Sequence, residues 1–141
     1  MEETDEPIPL GKLRVARTGK DVTVVTYSAM VKVCLDAAAQ LAKDGIECEV
    51  LDLRTLAPLD REGICESVRK TGRLVVAHEA TKTCGVGAEI AQTAIEGAFD
   101  YLQAPIERVA AMDLPIPTGK LQDLVFPGSG DVEAAVRKVM A

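Results

Sequence analysis

The chain has 141 residues, a net charge of −6 and an isoelectric point near 4.8. Its length and ordinary hydrophobic content predict one globular domain, and its acidic balance, with no Trp, argues against a surface that binds nucleic acid. No apolar run reaches the roughly 20 residues that a membrane span needs, and the N-terminus lacks the apolar core of a signal peptide. We therefore expect a soluble intracellular protein with no membrane partner.

Predicted strands and helices alternate along the chain. Residues 1–9 are acidic and contain prolines, which predicts a linker or a frayed N-terminus before a domain over residues 10–141. Apolar and β-branched runs predict strands over residues 13–17, 22–27, 48–53, 74–78 and 105–110. Apolar residues at helical spacing predict helices over residues 29–43, 61–70, 88–101 and 131–139.

Polar residues predict where several of these elements begin and end. Ser28, Asp60 and Asp131 each stand where a side-chain oxygen would cap the following helix. The segment 79–84 is polar and is predicted as a loop, and the helix end at 67–71 is predicted to be solvated.

This alternation predicts an α/β fold. Strands joined by helices form parallel β-α-β units with right-handed crossovers, and only the first strand, which a short turn joins to the second, is expected to be antiparallel. The predicted architecture is a three-layer α/β/α sandwich around a five-stranded, mostly parallel mixed sheet.

The four cysteines are predicted to be free thiols in a reducing compartment. Cys34, Cys48 and Cys65 fall in elements that we expect to be packed, whereas Cys84 lies in the polar loop. No pair has the spacing of a zinc site, and the chain has one His, so no metal site is predicted.

Arg54 is the first candidate for a specific role, because it stands at the carboxyl end of a predicted strand. From there the chain continues through Pro58 into a capped helix. In open α/β sheets, functional groups gather at the carboxyl ends of the strands. The guanidinium could clamp a carboxylate or a phosphate in a bidentate manner, or it could be tied to Asp60 or to a neighbouring domain. The sequence leaves these alternatives open.

His78 and Glu79 follow the next buried strand at the same edge of the sheet. The pair could orient a substrate or move a proton. The alternative is that His78 is a satisfied residue at a domain contact, with Glu79 turned outward. No matching nucleophile or second carboxylate is present, and we assign no catalytic residue.

Gly85 and Gly87 precede a predicted helix, where free N–H groups could hold an anion together with Arg54. The third glycine of a dinucleotide fingerprint is missing. Glycines that allow a helix to pack closely on the sheet are the alternative.

Several motifs in this order resemble one protein family. They include Leu-Arg-Thr-Leu-Ala-Pro-Leu-Asp at 53–60, Lys-Thr-Gly at 70–72 and His-Glu-Ala at 78–80. Further matching segments lie at 9–12, 21–27, 85–90, 102–109 and 113–117. The chain resembles the C-terminal, transketolase-like domain of the beta subunit of 2-oxo acid dehydrogenase decarboxylating components, the pyruvate, branched-chain and acetoin enzymes.

The resemblance implies the same fold and a role in a larger enzyme. The parent enzyme uses thiamine diphosphate and Mg²⁺, decarboxylates a 2-oxo acid and acylates a lipoyl group. Its partners would be an alpha subunit, a second beta subunit and the lipoyl acyltransferase, in a bacterial cytoplasm or a mitochondrial matrix. Arg54, Asp60, His78 and Glu79 match family positions and are expected to support an interface or a site.

Three hypotheses follow. The first is an assembly and docking domain that self-associates through exposed apolar surface. Because the chain lacks a Gly-Asp-Gly diphosphate motif, we expect it to be inactive alone and to bind no cofactor by itself. The second is an independent module that binds a small anion at Arg54, Gly85 and Gly87. The third is the C-terminal piece of another thiamine enzyme, such as transketolase.

Overall fold

The computed structural model describes residues 9–141, apart from the side chains of Lys120 and Asp123, and these residues form five strands, four α-helices and two 3₁₀-helices. The strands are β1 (Arg14–Arg17), β2 (Val22–Thr26), β3 (Cys48–Asp52), β4 (Leu74–Thr81) and β5 (Glu107–Ala111). The helices are α1 (Met30–Lys43), α2 (Arg61–Thr71), α3 (Gly87–Ala98) and α4 (Ser129–Met140), with 3₁₀-helices at Phe99–Tyr101 and Gly119–Leu124. The predicted linker, residues 1–9, lies outside the described residues except for Pro9.

The strands form one mixed sheet in the order β1-β3-β2-β4-β5. β1 is antiparallel to β3, with Arg14 opposite Asp52, and the other neighbouring pairs are parallel. The mixed sheet and its antiparallel first strand are therefore confirmed. β2 is central and all five of its residues are buried, because a parallel strand covered on both faces tolerates apolar and β-branched side chains throughout.

Helices cover both faces of the sheet, so the three-layer prediction is confirmed. On one face α1 and α4 bury Met30, Leu41 and Val136, with α1 packed mainly on β3 and β2 and α4 packed on β4 and β5. On the other face α2 and α3 bury Ile64, Val68 and Ile90. Each helix carries an apolar stripe that is removed from water only when the helix lies on the sheet.

Three predicted element ends are wrong in detail. Ser28 does not cap α1: its backbone has a φ of +58°, and α1 begins at Met30 after Ala29 without a side-chain cap. α4 begins at Ser129, and Asp131 in its first turn accepts a hydrogen bond from the Gly128 N–H at 2.8 Å. β4 runs to Thr81, so the predicted loop is shorter.

The thiols lie where the sequence predicts. Cys34, Cys48 and Cys65 are buried and unpaired, and Cys84 is exposed. Burial raises the pKa of Cys34 to about 12 and that of Cys48 to about 11, so these thiols remain protonated at neutral pH. Among the side chains that the structure describes, no cluster of His, Cys, Asp or Glu is arranged to hold a metal, and none of the described helices is long and apolar enough to cross a bilayer.

Candidate functional site at the carboxyl edge of the sheet

The carboxyl ends of β2, β3 and β4 bring the sequence-predicted residues to one edge. The chain leaves β2 for β3 on one side and leaves β4 for β5 on the other, so these two strands flank a topological switch point, the usual place for a site in an open α/β sheet. Ser28, Arg54 and Cys84 lie in the loops after these strands, and each has a left-handed backbone, with φ of +58°, +56° and +59°. Such strain often accompanies functional sites.

Arg54 is exposed and projects from this edge. Its backbone N–H donates to Oδ1 of Asp52 at 3.2 Å, while the Asp52 carboxylate pairs with Arg14 at 3.3 Å. Among the carboxylates that the structure describes, none lies within 4.0 Å of the Arg54 guanidinium, and Asp60 pairs with Lys12 instead. The predicted tie to Asp60 is therefore not formed, and a contact of Arg54 with an anion or a neighbouring domain stays a prediction.

Asp60 is buried, with 7% of its surface exposed, and is held by backbone groups. Its Oδ1 accepts from the Gly63 N–H at 3.2 Å, which caps α2 as predicted, and its Oδ2 accepts from the Leu13 N–H at 3.1 Å. Burial alone would raise the pKa of Asp60, but these two hydrogen bonds and the Lys12 ammonium lower it overall. The carboxylate thereby joins the entry of β1 to the start of α2.

His78 lies fully buried at the end of the apolar part of β4. Its Nδ1 is 3.0 Å from the carbonyl oxygen of Ala80, and because a carbonyl only accepts, Nδ1 carries the proton. The ring stacks on Tyr27 with centroids 6.3 Å apart. Burial is the largest effect on the pKa of His78 and lowers it; the Ala80 hydrogen bond opposes this in part, and the Arg108 charge adds a smaller lowering. Glu79 is half-buried. The pKa of Tyr27 is raised first by the burial of its own side chain and then by the negative charge of Glu79.

The glycine pair faces protein atoms. A Cβ on Gly87 would lie 2.2 Å from Nε2 of His78, and one on Gly85 would lie 2.3 Å from the Thr81 carbonyl oxygen. Both glycines therefore let the loop and α3 pack closely on β4, which favours the packing alternative. The anion site at Arg54, Gly85 and Gly87 stays a prediction.

The sequence interpretation missed a buried polar network beneath α2. Glu49, only 4% exposed, accepts from Ser67 Oγ at 2.7 Å and pairs with Lys70. Thr23 Oγ1 lies 2.6 Å from Ser67 Oγ and 2.8 Å from Thr71 Oγ1. The predicted solvated helix end is thus wrong for Ser67 and Thr71. Their spacing of four residues, on the face of α2 that carries Ile64 and Val68, was the available signal.

Most of the exposed apolar side chains lie in the segments of the chain before and after β5. Of the eleven large apolar side chains that residues 9–141 leave exposed, eight flank β5 in the chain: Ile95, Phe99, Tyr101, Met112, Leu114, Ile116, Leu121 and Leu124. A groove of about 780 Å³ lies between α3 and β5, and a second of about 490 Å³ lies between β5 and α4. We call this region the β5 surface. β5 is also an edge strand of the sheet.

Comparisons with known proteins place this fold in a family. The model of the transketolase C-terminal domain matches residues 11–132. The structure of a split gene transketolase, an inactive beta4 tetramer, superimposes with a TM-score of 0.82 at 33% identity, covering 96% of this chain and 43% of that one.

Sequence relatives are beta subunits of 2-oxo acid and acetoin enzymes. The beta subunit of the pyruvate dehydrogenase E1 component of Rickettsia felis is 51% identical over 99% of this chain and 43% of its own length. The beta subunit of acetoin:2,6-dichlorophenolindophenol oxidoreductase of Cupriavidus necator is 47% identical over 94% of this chain and 40% of its own length. A mitochondrial beta-1 subunit of the pyruvate dehydrogenase E1 component of Arabidopsis thaliana is 46% identical over 93% of this chain and 36% of its own length.

These matches confirm the resemblance to the beta subunits that the sequence motifs indicate. The chain spans less than half the length of the curated relatives it matches. Because the family model covers residues 11–132, the chain belongs to the transketolase C-terminal domain family.

Proposed function

We propose that the chain is the assembly and partner-docking domain of a thiamine diphosphate-dependent 2-oxo acid dehydrogenase beta subunit. The observation that carries this proposal is the 51% identity to a pyruvate dehydrogenase E1 beta subunit across 99% of the chain. The parent reaction is the oxidative decarboxylation of a 2-oxo acid with acyl transfer to a lipoyl group. Its partners are an alpha subunit, a second beta subunit and the lipoyl acyltransferase, in a bacterial cytoplasm or a mitochondrial matrix.

The β5 surface supports an assembly role. Phe99 is 67% exposed and Leu124 is 71% exposed, and both border grooves beside an unpaired sheet edge. Exposed apolar side chains beside an open sheet edge are typical of interfaces. The beta4 tetramer of the split gene transketolase is a related precedent for self-association.

The described residues do not fit thiamine diphosphate or Mg²⁺. Gly85 and Gly87 direct their open faces at Thr81 and His78, so their loop has no cradle for a diphosphate. No carboxylate cluster in residues 9–141 is arranged as a metal site. We therefore assign the cofactor to other parts of the parent enzyme, and we expect no catalysis by this chain alone.

The first test is the solution mass of the chain, measured by light scattering over a concentration series. We expect a dimer or higher species, and Phe99→Ser should shift association to higher concentration. Leu10→Ser is the matched control, because Leu10 is 79% exposed but precedes β1 at the opposite edge of the sheet. A monomer at every concentration that also fails to bind the lipoyl acyltransferase would refute the proposal.

A second candidate is a module that binds a small anion, which the exposed Arg54 at the carboxyl edge of the sheet favours. Phosphate or a 2-oxo acid at a hundredfold excess over its dissociation constant would then stabilise the fold by about 2.7 kcal/mol. Arg54→Ala should abolish that thermal shift. The remaining candidate, a piece of another thiamine enzyme such as transketolase, predicts no binding to the lipoyl acyltransferase.

A further inference from the structure

The second ring nitrogen of His78 is enclosed in an unusual way. Because Nδ1 donates its proton to Ala80, Nε2 carries a lone pair. Nε2 has less than 1 Å² of exposed surface and has no hydrogen-bond partner within residues 9–141. Buried polar atoms are nearly always paired, so an unpaired one calls for an explanation.

The chain after β4 lies directly across this nitrogen. A Cβ on Gly87 would be 2.2 Å from Nε2 and 2.7 Å from Cδ2, and one on Gly85 would be 2.9 Å from Cε1. The ring edge therefore touches the backbone of the first residue of α3, with no space for a water. The positive end of the α3 dipole faces a lone pair, which is a favourable arrangement for neutral imidazole.

Protonation reverses this arrangement. A second N–H at Nε2 would have no acceptor in the closed structure, and the new charge would meet the positive end of α3. Water can reach the imidazolium only if the first turn of α3 and the preceding loop move away. A glycine at each contact leaves no side chain to hold that segment to the ring.

The charges around His78 act in both directions. Arg108 on β5 lowers the pKa of His78, and Lys82 in the loop is also cationic. Glu79 is the next residue on β4, and its charge favours the protonated form of His78. The Glu89 carboxylate in the first turn of α3 instead pairs with Arg61. Tyr27, directly after β2, stacks on the ring as a neutral phenol with a raised pKa.

The loop has a separate anchor on its far side. The Thr83 N–H and hydroxyl donate to the two carboxylate oxygens of Asp113 at 2.9 and 2.6 Å, and the Lys82 N–H donates to Ala111 at 3.2 Å. The segment between Thr83 and Ile90 is therefore held at one end by the hydrogen bonds of Thr83 and at the other end by the buried face of α3.

We propose that His78 and residues 84–88 form an acid-sensitive latch at the carboxyl edge of the sheet. The latch is closed while Nε2 carries a lone pair. Protonation of Nε2 opens the loop and the first turn of α3, while the rest of the domain stays folded. The latch would thus change the shape of the edge that carries Arg54 without unfolding the sheet.

Hydrogen exchange tests the latch on the whole chain. Between about pH 8 and about pH 5, and after correction for intrinsic rates, amides of residues 84–90 should lose protection by about tenfold or more. Amides of α1 and α4 should keep theirs. In His78→Gln, which carries no titratable ring, the difference between the two pH values should disappear.

NMR provides a readout that does not depend on the variant folding. His78 is the single histidine, so its ring signals are unambiguous and should titrate together with the amides of residues 84–90. Unchanged protection of these residues at a pH where the ring is protonated would overturn the proposal. So would acid opening that persists in a folded His78→Gln protein.

Discussion

Replacing Asp60 tests how one carboxylate joins two elements of the fold. In Asp60→Ala, α2 loses its N-cap, which costs about 1 kcal/mol. The half-buried Leu13 N–H also loses its acceptor, at a cost of about 1–3 kcal/mol. The ion pair with Lys12, whose side chain is 66% exposed, contributes little. The expected loss of unfolding free energy is therefore about 2–4 kcal/mol.

Two further variants separate these contributions. Asn is as good an N-cap as Asp, but its NH₂ group replaces one of the two accepting oxygens, so Asp60→Asn should cost about half as much as Asp60→Ala. Lys12→Met should change stability by no more than about 0.5 kcal/mol. The loss of stability should therefore be largest for Asp60→Ala, smaller for Asp60→Asn and smallest for Lys12→Met. This order follows from the hydrogen bonds alone.

The effect of Asp60 also has a predicted pH dependence. Because the pKa of Asp60 is lowered in the folded chain from 3.8, its carboxylate stabilises the fold above that value. This contribution is lost as the pH falls through the folded-state pKa. The stability gap between the native chain and Asp60→Asn should therefore be constant near neutrality and shrink in acid.

Urea unfolding followed by far-ultraviolet circular dichroism measures these differences, at a protein concentration where one species is present. A loss below about 0.5 kcal/mol for Asp60→Ala, the usual range of neutral surface changes, would refute the reasoning. A stability difference between the native chain and Asp60→Asn that grew as the pH fell would contradict the lowered pKa of Asp60 in the folded chain.

Three further changes have defined outcomes. Gly97→Ala places a Cβ 2.4 Å from Cys65 Sγ and should lower the unfolding free energy by about 1–3 kcal/mol, with recovery when combined with Cys65→Ala in a double-mutant cycle. Leu41→Ala removes a fully buried side chain of α1 and should cost about 2–5 kcal/mol in urea unfolding; a smaller loss would mean that the core closes over the cavity. Asp113→Ala should raise hydrogen exchange at Thr83, and unchanged exchange there would mean that other contacts hold the loop.

The sequence predicts the elements wherever local chemistry and burial agree. The β-branched run of β2 and the interval between Asp60 and Gly72 define a strand and a capped helix, and Gly72 ends α2 with a φ of +71° as a left-handed C-cap. Ser28 shows the limit. Its side chain is suitable for a cap, but the chain turns through a left-handed conformation there, and α1 starts two residues later.

The sequence predicts where the candidate site lies in the fold, but not how its side chains are arranged. Parallel topology places Arg54, His78 and the glycines at one edge. It cannot say which nitrogen of His78 bears the proton, because that depends on the Ala80 carbonyl two residues along the bent end of β4. Glu49 and Ser67 come together only when α2 packs on the sheet, a contact between segments that no local pattern encodes.

The pairing of β1 with β3 has a consequence for how the chain folds. β1 ends five positions before β2 begins, yet Arg14 finds its partner Asp52 at a separation of 38 residues. Closing that loop costs entropy that no nearby hairpin offsets. β2, α1 and β3 must therefore assemble before β1 has an edge to join. β1 is therefore synthesised before β2 and β3 but joins the sheet after them. Until β1 has joined, the outer edge of β3 is open to pairing with other chains.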